Sequence, residues 1–239
     1  MARDIGEDMK YLACTSFSPK GYEVYGRRFL ESYLAFWPTE IVVFYEGQKP
    51  DLKSDRVLYL DLLQDPEFRE FQSEYGYWGT NDYRLAATKF SPKVFSITSN
   101  RIPEWEWLIW IDADVVTKRL IDDRFFEETC PGGYTGAYLG RMEWDHSECG
   151  FVSYRKQYFG KEFLEDFRSL YTTGGLFSLP QWHDSYAFDY IREQNENYRF
   201  HNLSDKIPGN HVWPHTILGE YMDHQKGPKL KTEIYGDIA

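Results

Sequence analysis

The chain has 239 residues, of which 27 are Lys or Arg and 38 are Asp or Glu, so its formal net charge is -11. This charge repels polyanions at long range and argues against nucleic acid and anionic membrane surfaces as partners. Hydrophobic residues make up 42% and aromatic residues 18% of the sequence. A chain of this length builds a core without disulfide or metal staples, and we expect a single domain over residues 1–239.

Cysteine usage and the apolar pattern indicate where the protein is found. Cys14, Cys130 and Cys149 are widely spaced and odd in number, which is typical of neither a disulfide framework nor a zinc site. The first residues are charged where a signal peptide needs an apolar core, and no apolar run approaches the roughly 20 residues of a membrane span. We therefore expect a cytoplasmic protein with no transmembrane segment.

The first half of the chain predicts alternating strands and helices. In chain order we expect a strand at 11–17, a helix at 27–37 ended by Pro38, a strand at 39–47 and a third strand from 56 to Asp61. An irregular segment at 64–83 should follow, then a helical segment at 84–100 with a fresh first turn at Ser91 and Pro92, and a strand ending at Ile111. Strands this apolar are typical of a parallel sheet covered on both faces. Strand, helix and strand in this order predict a right-handed crossover and an α/β fold.

The second half predicts two more strands and two amphipathic helices before an irregular tail. The strands are expected at 132–140 and 149–155, the helices at 159–175, closed by Gly174, and at 184–195, and the loop-like tail from 201 onward. No internal repeat and no low-complexity linker interrupts the chain.

The stretch WLIWIDADVVT places Asp112 and Asp114 directly after the strand that ends at Ile111. Ligands of open α/β sheets bind at the carboxyl ends of the strands, and residues i and i+2 of an extended chain point to one side. Both carboxylates can then hold one hard divalent cation such as Mn²⁺ or Mg²⁺. The alternative is a solvated turn, for which Asp-x-Asp is a common composition.

This stretch resembles the strand and DxD motif of GT-A fold glycosyltransferases, in particular the glycogenin-like family that includes bacterial galactosyltransferases. The resemblance runs in order over roughly residues 10 to 231. It implies one α/β, Rossmann-like GT-A domain with a mostly parallel central sheet flanked by helices. Residues from about 10 to 117 would form the nucleotide-sugar-binding half, and those from about 118 to 239 the acceptor-binding half and C-terminal tail.

The family's motifs suggest site residues at further positions. The stretch LAATKFSPKVFSI resembles the family's Thr-Lys helix, with Thr88 and Lys89 as the matching residues, and SECGFVSY resembles its Asn-Ser-Gly strand, with Gly150 as the glycine. The stretch QWHDSYAFDYI resembles the start of its Asp-Gln helix, with Asp184 as the aspartate. The stretch DHQKGPKLK resembles its His-x-x-Gly-x-x-Lys motif, with His224, Gly227 and either Lys229 or Lys231 as the matching residues. The loop after the first strand, Thr15 to Tyr22, would hold the nucleobase, with Thr15 and Ser16 as contacts. Ala113 is the middle residue of the DxD motif.

The resemblance implies transfer of a sugar from a nucleoside diphosphate sugar, with a UDP-sugar as the default donor, to a carbohydrate or other hydroxyl acceptor. Asp112, Asp114 and His224 would be the metal ligands, and Lys89 and a C-terminal lysine would contact the diphosphate. Asp184 would act near the anomeric carbon, either as the base of an inverting reaction or as a stabilising and positioning group in a retaining one.

Several positions depart from the family's pattern. Glu148 and Cys149 replace the usual Asn and Ser, Ser185 replaces Gln, and Leu230 replaces Lys. The aromatic content and the altered Asn and Gln positions suggest one alternative, a non-catalytic carbohydrate-binding protein. A second alternative is a haloacid-dehalogenase-like phosphatase, because IDADVV also resembles the strand-ending Asp-x-Asp-x-Val pattern of that family; Asp112 would then be the nucleophile and Asp114 the acid/base. Trp144, Trp182 and Trp213 are candidates either for stacking on an acceptor sugar or for core packing.

Overall fold

The computed structural model describes residues 10–76, 82–142 and 146–225. The strands within these ranges are β1 (Tyr11–Phe17), β2 (Glu40–Tyr45), β3 (Val57–Asp61), β4 (Trp107–Ile111), β5 (Val115–Thr117), β6 (Gly136–Leu139), β7 (Glu148–Arg155), β8 (Phe200–Asn202) and β9 (Met222–His224). The α-helices are α1 (Pro19–Gly21), α2 (Arg27–Phe36), α3 (Pro66–Tyr75), α4 (Ala87–Ile97), α5 (Asp123–Thr129), α6 (Lys161–Thr172), α7 (Asp184–Gln194) and α8 (Ile217–Tyr221).

Seven strands form a central sheet in the order β3-β2-β1-β4-β7-β6-β8. Of these, β7 runs antiparallel to both of its neighbours, β4 and β6, whereas the other pairs are parallel. The predicted α/β class with a mostly parallel sheet is therefore confirmed. Because β7 is reversed, its first residues lie beside the last residues of β4 and β6: Ile111 is opposite Phe151, and Leu139 is opposite Glu148.

The sheet has a hydrophobic core on each face, which explains why its strands read as continuous apolar runs. Leu108 and Trp110 of β4 pack into the core beneath α3, α4, α6 and α7. Trp107, Ile109 and Ile111 of the same strand pack into the opposite core, with α2, α5 and α8. Burying one such side chain stabilises the fold by roughly 1.5–3 kcal/mol.

The prediction of an irregular segment at 64–83 is wrong for the part that the structure describes, because α3 occupies Pro66–Tyr75. Asp65 caps this helix and accepts hydrogen bonds from the backbone N–H groups of Glu67 and Phe68 at 3.1 and 3.2 Å. Pro66 suits the first helical position, where its missing N–H leaves no partner unsatisfied. These cap signals are present in the sequence, but only Phe68 and Phe71 of the helix are buried.

The helical segment predicted at 84–100 is present as α4, but no fresh turn begins at Pro92. The helix runs through Pro92, whose missing N–H leaves the Thr88 carbonyl oxygen without its usual donor. That oxygen instead accepts from Gln72 Nε2 at 3.0 Å and from Ser91 Oγ at 3.1 Å. Gln72 belongs to α3, so a side chain of the neighbouring helix satisfies the carbonyl oxygen that Pro92 leaves without a donor.

The loop-like tail predicted from residue 201 is also corrected. It contains the end of β8 and all of α8 and β9, and β9 pairs antiparallel with β5 in a separate two-stranded sheet. Within the described ranges, no helix combines the length and apolarity needed to cross a membrane. The three cysteine thiols are buried and form no disulfide with one another.

Candidate active site

A cavity of about 550 Å³ opens at the edge of the sheet where β1 and β4 end and β7 begins. Its lining includes residues from β1 and β7, from the turn after β4, from α4 and from the start of α7. The residues are Ser16, Phe17, Ser18, Tyr25, Glu46, Lys89, Phe90, Pro92, Lys93, Asp112, Asp114, Arg141, His146, Glu148, Cys149, Gly150, Asp184, Ser185 and His224.

Asp112 and Asp114 converge on this cavity through a tight turn. The Asp112 N–H donates to the Gly150 carbonyl oxygen at 2.8 Å, and the Val115 N–H donates back to the Asp112 carbonyl oxygen at 3.1 Å. The two carboxylates therefore meet because the chain turns after β4, whereas the spacing of the motif predicted an extended chain. The Trp110 indole N–H donates to Asp112 Oδ1 at 2.6 Å and orients that carboxylate.

His224 reaches the two aspartates because β9 pairs with β5, which places His224 opposite Val115. The Gln225 N–H donates to the Asp114 carbonyl oxygen at 3.0 Å and extends this contact. His224 Nε2 lies 3.1 Å from Asp114 Oδ1 and 3.8 Å from Asp112 Oδ2. The predicted third member of the group is thus beside the other two, although more than 100 residues separate them in sequence.

Gly150 provides the space that the His224 ring occupies. A Cβ at position 150 would lie 2.5 Å from His224 Cε1, well inside van der Waals contact. On another side, the ring of Trp213 lies 4.8 Å from the imidazole, centroid to centroid. A glycine at position 150 therefore leaves room for the histidine ring beside the aspartates.

Asp112, Asp114 and His224 fit a divalent cation. Each offers one ligand atom, and these atoms lie within 4.8 Å of one another. Two carboxylates and an imidazole suit Mn²⁺ or Mg²⁺ with places left for phosphate oxygens. Burial lowers the pKa of His224, but Asp114, Glu148 and Asp112 outweigh burial and raise that pKa to about 9. A cation at this position would replace the proton.

A buried ion pair lies behind His224. Glu148, with a side chain 2% exposed, pairs with Arg141, and its Oε1 lies 3.3 Å from His224 Nδ1. This arrangement places a carboxylate behind the imidazole, as is usual for histidines that bind metals. The departure from the family's Asn at position 148 therefore has a local use in this chain.

Lys93 also lines this cavity, although none of the sequence motifs pointed to it. Its Nζ donates to Asp184 Oδ2 at 2.6 Å and to the Cys149 carbonyl oxygen, and lies 3.3 Å from Asp112 Oδ1. Burial lowers the pKa of Lys93, but Asp112 and Asp184 raise it well above its usual value, so the ammonium stays charged. A lysine within the apolar run KVFSI was a signal that could have identified it.

Asp184 begins α7 inside the cavity and is not the cap of that helix. The cap is His183, whose Nδ1 accepts from the Tyr186 N–H at 3.3 Å. Asp184 is 5% exposed, and Lys93 is its ion-pair partner at 2.6 Å. The carboxylate therefore lines the cavity as the partner of Lys93 and does not cap the helix.

The other predicted contacts divide between the cavity and the core. Lys89 lines the cavity, with its Nζ 5.4 Å from the centroid of the Phe90 ring, and Ser16 lines it too. Thr15 is fully buried within β1, which continues to Phe17, so the predicted loop begins only at Ser18. Ala113 is 6% exposed and packs in the core.

The aromatic and C-terminal candidates are placed as follows. Trp213 is 1% exposed, and Trp182 packs against the core and donates from its indole N–H to the Leu179 carbonyl oxygen at 2.9 Å. Both tryptophans therefore serve in packing. The candidates Trp144, Gly227, Lys229 and Lys231 lie outside the described residues.

Comparison with solved structures identifies the fold. An active-site mutant of the glycosyltransferase LgtC superposes with a TM-score of 0.59 at 12% identity, covering 91% of this chain and 88% of that chain. A glycosyltransferase involved in the glycosylation of the major capsid of PBCV-1 has a TM-score of 0.48 at 13% identity, with 95% of this chain and 99% of that chain covered. Mouse xyloside xylosyltransferase 1 has a TM-score of 0.48 at 12% identity, with 88% and 91% covered.

No family model matches the sequence, and no curated protein is significantly similar to it. At 12% identity, the match to LgtC concerns the fold alone. The predicted GT-A fold is confirmed by that match together with the sheet described above.

Proposed function

We propose that this GT-A fold protein is a glycosyltransferase that moves a sugar from a nucleoside diphosphate sugar, with a UDP-sugar as the first candidate, to an acceptor hydroxyl. The observation that carries the proposal is the group formed by Asp112, Asp114 and His224, whose ligand atoms lie within 4.8 Å of one another at the edge of the sheet. In this fold that edge is where ligands bind.

The three residues of this group would hold Mn²⁺ or Mg²⁺. When bound there, the cation supplies positive charge for the diphosphate of the donor. Lys89, at the wall of the same cavity, adds a mobile point charge that suits a phosphate oxygen. Lys93 has a different role, because it is held by Asp184 and Asp112 and fixes the position of both carboxylates.

Asp184 is better placed to position groups than to take a proton. Its Oδ2 accepts a charged hydrogen bond from Lys93 at 2.6 Å, which engages the carboxylate that a general base would need free. A fixed carboxylate beside the sugar stabilises the positive charge of an oxocarbenium-like state. The contact with Lys93 therefore supports the positioning role that a retaining reaction would require.

The test is release of nucleoside diphosphate from a panel of UDP-sugars, with and without Mn²⁺. We expect Mn²⁺-dependent release, and we expect Asp114→Asn to lower it by about 100-fold or more, because charge stabilisation in the reaction is lost. Asp223→Asn is the matched control, since Asp223 is adjacent to His224 in sequence but is 57% exposed and pairs with Lys118.

Binding is measured in parallel by the thermal shift that UDP and Mn²⁺ produce together, since a ligand of the native state raises the melting temperature. Release that persists in EDTA and in Asp114→Asn would contradict the proposal. Hydrolysis of an aryl phosphate that Asp112→Ala abolishes would instead support the phosphatase. That alternative fits the contacts poorly, because Asp112 Oδ1 already accepts from Trp110 and lies 3.3 Å from Lys93.

A further inference from the structure

A second cavity, of about 330 Å³, adjoins the first, and Arg141 and His146 line both. Its volume falls within the roughly 300–1,000 Å³ of small-molecule sites. Its lining also includes Tyr186, Asp189, Tyr190, Arg192, Glu193 and Asn202.

Helix α7 connects the two cavities. Its first residues, Asp184 and Ser185, line the first cavity. Tyr186, Asp189 and Tyr190 line the second cavity and share one helical face, because residues three and four apart on a helix are neighbours. A ligand in the second cavity would therefore lie along the helix that carries the candidate catalytic carboxylate at its start.

The charges around the second cavity are already paired. Asp189 accepts from the Ser147 N–H at 2.6 Å, from Ser147 Oγ at 2.7 Å and from Arg192 at 3.1 Å, and Arg192 also donates to Glu193 at 3.0 Å. Arg141 pairs with Glu148 on the side of the first cavity. A charged ligand would have to displace one of these pairs, whereas a neutral ligand would not.

Neutral hydrogen-bonding groups are available in the same cavity. Asn202 Oδ1 accepts from Gly140 N–H at 2.9 Å, Ser204 N–H at 3.0 Å and Ser204 Oγ at 2.9 Å, so its amide orientation is fixed and its Nδ2 has no acceptor among the described residues. Within those residues the hydroxyls of Tyr186 and Tyr190 likewise have no hydrogen-bond partner. Fixed amide donors and phenol groups match the hydroxyls of a sugar.

We propose that the second cavity is the acceptor subsite and that it takes a neutral sugar. This inference rests on the proposed glycosyl transfer and adds the chemical class of the acceptor. Tyr186 and Tyr190 would contact the ring, and Asn202 Nδ2 would donate to one of its hydroxyls. Paired charges and neutral donors together select a polyhydroxyl ring over an anionic or cationic acceptor.

The inference is tested by saturation-transfer NMR with methyl pyranosides of glucose, galactose, mannose and xylose, in the presence of UDP and Mn²⁺. Methyl glucuronide and methyl glucosaminide are the charged comparisons. We expect a neutral glycoside to bind, and the double substitution Tyr186→Ala and Tyr190→Ala to weaken its binding by about tenfold or more, while UDP binding with Mn²⁺ is unchanged.

Two further variants sharpen the test. Asn202→Asp keeps an acceptor for the three hydrogen bonds made by Oδ1 and replaces the amide donor with a charged oxygen that only accepts, so it should raise the KM for the acceptor without changing donor hydrolysis. Tyr158→Ala is the control for loss of a tyrosine, because Tyr158 is 41% exposed and follows the far end of β7. It should leave glycoside binding intact.

The outcomes separate the two proposals. If UDP binds with Mn²⁺ but only charged glycosides bind, or none binds, the acceptor subsite is overturned and the proposed function stands. Neutral glycoside binding that survives all the tyrosine and Asn202 substitutions also overturns it. If UDP and Mn²⁺ themselves fail to bind, the proposed function fails first.

Discussion

At the scale of the residue, two lysines one helical turn apart on α4 meet different surroundings. The Lys93 side chain is 11% exposed and forms ion pairs with Asp112 and Asp184. Lys89 has no ion-pair partner among the described residues, and its ammonium lies over the Phe90 ring at the wall of the cavity. One lysine therefore belongs to the framework of the site, and the other is free to meet a ligand.

The two lysines should respond differently to the same substitution. We expect Lys93→Met to lower the free energy of unfolding by about 3–5 kcal/mol, because Asp184 is left as a buried charge without its partner. Lys89→Met should change that free energy by no more than about 0.5 kcal/mol, yet weaken UDP binding in the presence of Mn²⁺. Urea denaturation and thermal shift measure both effects, and equal loss of stability in the two variants would contradict this assignment.

At the scale of the element, α7 depends on a histidine that must stay neutral. His183 Nδ1 accepts from the Tyr186 N–H at 3.3 Å, and its Nε2 lies 3.0 Å from Gln181 Oε1. Nδ1 must therefore be the unprotonated nitrogen, with the proton on Nε2. Burial is the main cause that lowers the pKa of His183, to about 4 from its ordinary value of 6.5.

This cap should make the protein sensitive to acid. Between pH 6.5 and 4 the unfolded chain binds the His183 proton and the native protein does not, so stability falls as the pH drops, by up to about 3 kcal/mol in total. His183→Asn keeps a cap acceptor without titrating, and should flatten this part of the pH profile. Urea denaturation across the range is the measurement.

The exposed His215 provides the control. His215→Asn should leave the slope of stability against pH as it is in the unsubstituted protein. A slope that His183→Asn fails to reduce would show that other groups cause the acid sensitivity.

At the scale of the whole molecule, the net charge of -11 acts against an anionic donor. The first cavity does not reverse the sign of the charge locally. Its lining includes the five carboxyl groups of Glu46, Asp112, Asp114, Glu148 and Asp184, against the cationic groups of Lys89, Lys93, Arg141 and, in the absence of a metal, His224. The nucleoside diphosphate donor that we propose would therefore need a divalent cation there to be attracted.

The net negative charge of the protein predicts how salt changes its affinity for UDP. In EDTA, the affinity for UDP should be weak and should rise as NaCl increases from about 20 to about 200 mM, because screening reduces the repulsion. Titration calorimetry measures this, and neutral uridine, which should show no such dependence, is the control. An affinity for UDP that falls with salt in EDTA would show that the lysines dominate the site without metal.

Several features of this protein could be predicted from its sequence because they depend on neighbours in the chain. The apolar runs that became β1, β2 and β4 are local, and so is the position of Asp112 and Asp114 directly after β4. That both faces of these three strands are buried follows from their apolar composition alone. The α/β class and the edge of the sheet where the candidate site lies could therefore be predicted from the sequence.

Other features were decided by contacts between distant segments. Gln72 makes the helix through Pro92 tolerable, and the pairing of β9 with β5 brings His224 to the aspartates. The reversal of β7 sets Glu148 behind that histidine, and only the packing of α4 against α7 shows that Lys93 meets Asp184. Sequence patterns indicate which residues face a core, but they do not indicate which remote residue each of them will contact. Those long-range contacts depend on the free energy of the whole packed molecule.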